Sequence, residues 1–167
     1  TTDLNQLISY ILTQREHDSS QTLLINGTQT SGNLFALDYP FIKSIKKALK
    51  SKIEIYKHRF KDSGEGFIDN WPKKYELRSW MISMKNGGYL KQHNHGYGWI
   101  TGSFYLQVPK YSNGPQEGNI AFSYQGSQYP NGNKKFASTI KEVANRDICI
   151  FPSSLFHKTI PFKSNEE

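Results

Sequence analysis

Two kinds of apolar periodicity divide this 167-residue chain. Up to about residue 61, apolar residues recur every three or four positions, as in a helix that buries one face. From about residue 75 onward, short alternating segments separated by Gly, Pro and Asn predict strands instead. Helices followed by many short strands predict an α+β, mainly β domain built on an antiparallel barrel or jelly roll. The two helical stripes consist of Leu4, Leu7, Ile8, Ile11 and Leu12, and of Phe41, Ile45, Leu49, Ile53, Tyr56 and Phe60 after Pro40.

The length is that of one domain with a core of its own. We therefore predict a single domain over residues 1–167, with a helical N-terminal part at 1–61 and a β-barrel core at 75–167. Residues 61–74 are expected to form a loop. Asn86-Gly87-Gly88 lies between two strand-like segments, 75–84 and 89–93, and this pattern predicts a β-hairpin.

Composition restricts the partners and the compartment. The chain carries 21 Lys and Arg against 14 Asp and Glu, a net charge of +7. Its basic residues concentrate between Lys43 and Lys61, on the polar face of the second helix, so we expect a solvated face and no nucleic-acid partner. Cys149 is the single cysteine and lies in an apolar segment, which predicts a core residue and a reducing compartment, the cytoplasm. No segment has the roughly 18 apolar residues of a membrane helix.

Three of the five histidines fall in two short segments. His93 and His95 are one residue apart in Gln92-His93-Asn94-His95, so on extended backbone their side chains point the same way. His157 follows the strand-like segment that ends at Phe151-Pro152. Together they predict a mononuclear metal site that leaves positions open for chemistry. Imidazole suits iron, zinc, copper or nickel, so the ligand type does not select the metal.

Several segments, in order along most of the chain, resemble 2-oxoglutarate/Fe(II) oxygenases that occur in bacteria alone or behind tetratricopeptide repeats. The more specific ones contain Gly98-Trp99-Ile100-Thr101-Gly102 and Phe151-Pro152-Ser153-Ser154-Leu155-Phe156-His157. The resemblance implies a double-stranded β-helix, which is a jelly-roll or cupin-like barrel, with N-terminal helices buttressing one sheet. It also implies Fe(II) as cofactor, 2-oxoglutarate and dioxygen as co-substrates, and hydroxylation of a further substrate.

The same resemblance assigns roles to individual residues. His93 and His157 match the two histidine ligands of the iron. His95 stands where most of these oxygenases have a carboxylate; Asp147 or Glu117 could supply one instead, although neither has the expected position. Tyr105 matches a tyrosine that binds 2-oxoglutarate in prolyl-hydroxylase-like relatives. Thr101 lies four residues earlier on the same strand face.

The arginine that grips the 2-oxoglutarate carboxylate in such proteins is expected about ten residues beyond His157, past the last residue of this chain. We expect either a sequence truncated before that arginine or an anchor supplied by Arg78 or Lys158. Two other functions remain open. One is a cupin-like metalloenzyme that does not use 2-oxoglutarate, although Trp99 stands where a cupin has its glutamate. The other is a non-catalytic metal-binding module.

Overall fold

A computed structural model describes residues 2–13, 18–19, 21–109, 114–126 and 129–164. These residues belong to two compact units. The helical unit comprises Thr1–Ser19 and Thr30–Met81, and the strand unit comprises Ser20–Gln29 and Ile82–Glu167. The single domain over residues 1–167 stays a prediction.

Both predicted helices are confirmed in the helical unit: α1 over Thr2–Thr13 and α2 over Pro40–Arg59. Proline fits the first turn of α2 because its missing N–H has no helical partner there. Phe41, Ile42 and Ile53 are the buried residues of α2. Tyr10 of α1 packs against Phe41 with ring centroids 6.1 Å apart. None of the described helices is long and apolar enough to cross a membrane.

Two local predictions for the helical unit are wrong. A short helix, α3 (Gly66–Asp69), interrupts the expected loop at 61–74. Residues 75–81 are not a strand, because their backbone is bound to the segment around Asn33 instead of to a ladder. Ser79 donates its N–H to the Asn33 side chain at 2.9 Å, and its carbonyl accepts from the N–H of Leu34, which begins a 3-10 turn over Leu34–Ala36.

β2 (Leu24–Thr30) pairs antiparallel with β3 (Ile82–Leu90), and a strand β1 (Asp18–Ser19) precedes them in the chain. The predicted hairpin at 86–88 is wrong, since β3 runs through it along one partner strand. Ile25 pairs with Tyr89 and Gly27 with Met84, so four residues of β3 bulge opposite the single residue Asn26. Gly87 adopts a positive φ of 75° in this bulge, which glycine tolerates, and its N–H donates to the carbonyl of Phe162.

The remaining strands form two further sheets. In one, β4 (Ile100–Phe104) pairs antiparallel with β7 (Ile148–Pro152). In the other, β5 (Ile120–Ser123) lies between β6 (Ser138–Lys141) and β8 (Phe156–Thr159), again antiparallel. The α+β class with antiparallel sheets is thus confirmed, but the described strands form three separate sheets and do not close a barrel.

One apolar cluster joins the last two sheets. Ile120 and Phe122 of β5 and Phe151 of β7 are buried together with Val143, which lies between β6 and β7, and Tyr105, Val108, Cys149 and Leu155 pack against them. The rings of Phe122 and Phe151 meet edge to face with centroids 4.8 Å apart. Cys149 lies against this cluster, as the sequence predicts. This apolar cluster is therefore built on strands that lead to the histidines.

Candidate metal centre

His93 and His157 are held side by side by the backbone. The N–H of His93 donates to the carbonyl of His157 at 3.0 Å, and the N–H of His157 donates to the carbonyl of His93 at 2.9 Å. They form an isolated antiparallel bridge just after β3, while His157 itself lies in β8 opposite Phe122. Two residues that exchange both backbone hydrogen bonds are a hydrogen-bonded pair of an antiparallel ladder, so both side chains lie on the same face.

His95 is fixed by a different contact. Its N–H donates to the carbonyl of Ser153 at 2.9 Å, and its carbonyl accepts from the N–H of Gly98 at 3.0 Å, which closes a turn. Ser153 follows β7 and is fully buried, with 0% of its surface exposed. The turn between β7 and β8 thus holds His95, and β8 holds His157.

The structure brings the three histidines into one group. Their ring centroids are 4.2 Å apart for His93 and His157, 5.1 Å for His93 and His95, and 5.2 Å for His95 and His157. Each offers one nitrogen, and these nitrogens all lie within 4.8 Å of one another. Such proximity is what a mononuclear site requires of its ligands.

Two backbone carbonyls fix the tautomers of His93 and His157. Nδ1 of His93 lies 2.7 Å from the carbonyl oxygen of Lys91, and Nδ1 of His157 lies 3.1 Å from that of Leu155. A carbonyl oxygen only accepts, so each Nδ1 carries the hydrogen and each Nε2 keeps its lone pair. Metal-binding histidines are commonly oriented in this way by a carbonyl on the other nitrogen.

Burial keeps two of the histidines neutral. It lowers the pKa of His157 from 6.5 to about 4; the Leu155 carbonyl opposes this shift, and the neighbouring His93 and His95 add to it. Burial also lowers the pKa of His95, with a smaller contribution from His93. A neutral imidazole is the form that binds a metal, so at pH 7 these side chains need not lose a proton first.

The ligand group contains no carboxylate from the described part of the chain. The two acidic residues that the sequence suggests as substitutes both accept hydrogen bonds from backbone N–H groups. Asp147 accepts from the N–H of Ala144 at 2.9 Å, and Glu117 accepts from that of Lys163 at 3.0 Å. Three neutral imidazoles are a suitable donor set for a divalent transition metal, and they leave its full charge of +2 uncompensated by the protein.

Thr101 and Tyr105 lie on the inner face of β4 and its continuation. Thr101 is paired with Phe151, and side chains of paired residues share a face. The Phe151 ring lies 4.8 Å from the His157 ring, so this face leads to the histidines. Tyr105 packs against the same apolar cluster. The Thr101 hydroxyl is 2.7 Å from that of Ser153.

The two proposed anchors of the 2-oxoglutarate carboxylate, Arg78 and Lys158, are both exposed. Arg78 belongs to the helical unit, is largely exposed and forms an ion pair with Glu76 at 3.4 Å. Lys158 follows His157 on β8 and is exposed; since side chains alternate along a strand, it points to the other face. The role of Arg78 stays a prediction.

An antiparallel β unit gathers three histidines from two neighbouring backbone segments, and this donor set could hold one metal ion. A family model described as "Putative 2OG-Fe(II) oxygenase" matches residues 78–167, which is more than half of the chain. The chain belongs to this family, whose members are oxidoreductases with Fe(II) and 2-oxoglutarate. A search of curated proteins found no match.

Sequence reasoning missed the contribution of Ser153. The sequence shows it only as one of two serines in a turn, and no local pattern distinguishes it from Ser154. In the structure Ser153 is fully buried, whereas Ser154 is exposed. The one sequence signal for a buried Ser153 is that a small polar residue directly follows a buried strand. The residues that contact it come from distant segments of the chain.

Proposed function

We propose that this protein is an Fe(II)- and 2-oxoglutarate-dependent dioxygenase that hydroxylates a further substrate, with His93, His95 and His157 as the iron ligands. The observation that supports this most strongly is the group of three histidine nitrogens within 4.8 Å, inside the segment that the family model matches. As part of the proposal, the antiparallel sheets belong to a double-stranded β-helix.

The reaction would convert 2-oxoglutarate, dioxygen and a C–H bond of the substrate into succinate, carbon dioxide and an alcohol. One oxygen atom enters succinate and the other enters the alcohol, so the four electrons that dioxygen accepts come from the co-substrate and the substrate. Bound iron supplies the redox chemistry that couples these two oxidations.

The protein's own residues orient the ligands and exclude water. The carbonyls of Lys91 and Leu155 hold the His93 and His157 rings in the tautomer that offers Nε2. The buried Phe151 ring covers one side of His157 and keeps water from that side. Tyr105 and Thr101 are the proposed co-substrate contacts, because they follow the strand face that leads to Phe151.

A cupin-like metalloenzyme without 2-oxoglutarate is the second candidate. One observation favours it: the Thr101 hydroxyl, a proposed co-substrate contact, already bonds with Ser153. A metal-binding module without catalysis has the same ligands. Only the dioxygenase consumes 2-oxoglutarate, so one set of assays separates it from the other two candidates.

The test is anaerobic loading with Fe(II), followed by exposure to air with and without 2-oxoglutarate, and quantification of succinate. The proposal expects succinate formation that needs both components and that His93→Ala abolishes. His58→Ala is the matched control, because His58 is an exposed histidine of α2 in the helical unit. Binding of Fe(II) without any succinate, and without a shift of the unfolding midpoint by 2-oxoglutarate, would contradict the proposed use of this co-substrate.

A further inference from the structure

In the proposed metal site, His95 is held by different backbone hydrogen bonds from those that hold His93 and His157. His93 and His157 are fixed by mutual backbone hydrogen bonds, whereas His95 lies on the turn His95–Gly98, which is attached to the rest of the unit at Ser153. Ser153 is therefore the point at which a small change can move His95 without disturbing the His93–His157 bridge.

Four contacts converge on Ser153. Its carbonyl accepts from the N–H of His95 at 2.9 Å, and its N–H donates to the carbonyl of Trp99 at 3.2 Å. Its hydroxyl pairs with that of Thr101 at 2.7 Å. Gly98 packs so closely on it that an added Cβ would lie 2.5 Å from the Ser153 Oγ and 3.1 Å from its Cβ. With 0% of its surface exposed, the residue has little room to yield.

The close contact with Gly98 explains why a glycine is needed there. A side chain at position 98 would force the Ser153 hydroxyl to rotate, which breaks its bond to Thr101, or would push the turn away. Because the same turn carries His95, the second response moves a ligand. A buried, close-packed contact transmits such a displacement instead of absorbing it.

We propose that Ser153, packed on Gly98 and bonded to Thr101, is the positioning residue that fixes His95, and so determines whether the metal has two or three histidine ligands. The inference rests on the proposed metal site. Ser153 acts through its contacts with the turn, while the His93–His157 pair retains its own support.

The test measures Co(II) affinity and the visible absorption spectrum of the Co(II)-loaded full chain. Gly98→Ala is expected to weaken Co(II) binding by about 10- to 100-fold, the range found when a group that orients a ligand is lost. Ser153→Ala is expected to weaken it less, because the backbone bonds to His95 and Trp99 remain. Gly98→Ala combined with Ser153→Ala is expected to bind more tightly than Gly98→Ala alone, since the added Cβ no longer meets the hydroxyl and only the milder 3.1 Å contact with the Cβ of residue 153 remains.

The His95→Ala background separates positioning from general damage. If Gly98→Ala acts through His95, adding it to His95→Ala changes the Co(II) affinity by less than about twofold and leaves the spectrum unchanged. A further large loss in that background would overturn the inference. Thr30→Val is the control for a lost buried hydroxyl, because Thr30 is buried in the helical unit and its hydroxyl accepts from the N–H of Met81; it should leave Co(II) affinity unchanged.

Far-UV circular dichroism first establishes that each variant is folded. If Gly98→Ala does not fold, the same comparison with Ser153→Ala in both backgrounds decides the question. Failure of the wild type to bind Co(II) would contradict the proposed function and this inference together. Tight wild-type binding that neither Gly98→Ala nor Ser153→Ala weakens would contradict the inference alone.

Discussion

Acid should destabilise the metal-free protein through one buried side chain, His157. Only 6% of its surface is exposed, and its pKa is lowered to about 4 from the 6.5 of an unfolded chain. Between these two values the unfolded chain binds a proton at His157 that the folded chain does not, so the free energy of unfolding falls as the pH falls. Above pH 6.5 the contribution is fully present, and it is lost as the pH falls towards 4.

The magnitude follows from the two pKa values. At about 1.4 kcal/mol for each pH unit of separation, the complete loss is at most about 3.5 kcal/mol. At pH 5.0 the His157 side chain is almost fully protonated in the unfolded chain and about one-tenth protonated in the folded chain. The expected loss between pH 7.5 and pH 5.0 is therefore about 2 kcal/mol. His95 shifts in the same direction and adds to it.

Urea denaturation with a chelator present, at pH 7.5 and pH 5.0, measures this loss. The comparison is between the wild type and His157→Gln, because the carboxyl groups that titrate near pH 5 contribute equally to both. The variant should lose about 2 kcal/mol less than the wild type over this interval. His58→Gln, at an exposed position, should keep the full wild-type dependence. Equal pH dependence of the wild type and His157→Gln would refute the reasoning.

Three substitutions give further predictions. His95→Asp should still bind Co(II), whereas His95→Ala should weaken binding at least about 10-fold; equal affinities of the two variants would exclude His95 as a ligand. Gly27→Ala places a Cβ 2.5 Å from a backbone carbonyl of β3 and should lower the free energy of unfolding by about 1–3 kcal/mol, while Gly66→Ala, which meets nothing within 4 Å, should not. Phe151→Ala should cost about 3–5 kcal/mol in urea denaturation, against less than about 0.5 for the exposed Phe136→Ala; a small loss for Phe151 would contradict the cluster beneath the histidines.

The parts of the fold that follow from local periodicity could be predicted from the sequence. Pro40 and the apolar stripe after it predict α2 within a residue or two of its ends, because a helix is stabilised by neighbours along the chain. The grouping of His93 with His95 follows from strand alternation. That His157 approaches this pair followed only from the expectation that metal sites lie at strand ends. The backbone bridge between His93 and His157 could not be predicted from the sequence.

The failures at residues 75–81, at 86–88 and at Ser153 have one physical cause, since all three depend on partners far away in the sequence. Asn86-Gly87-Gly88 has the local chemistry of a hairpin turn, yet it forms a bulge because Asn26 lies opposite and Phe162 accepts the Gly87 N–H. Residues 75–81 alternate like a strand, but Asn33 binds the Ser79 backbone. Ser153 has no local signal at all, because its importance comes from His95, Gly98 and Thr101.

The central claim is that His93, His95 and His157 bind one metal ion. X-ray absorption spectroscopy of the anaerobic Fe(II)-loaded protein tests it most directly, because it counts imidazole ligands around the metal. We predict one iron per chain with three imidazoles in the wild type, and two imidazoles in His95→Ala. An imidazole count that does not change in His95→Ala, or iron that binds equally well to His93→Ala, would contradict the account.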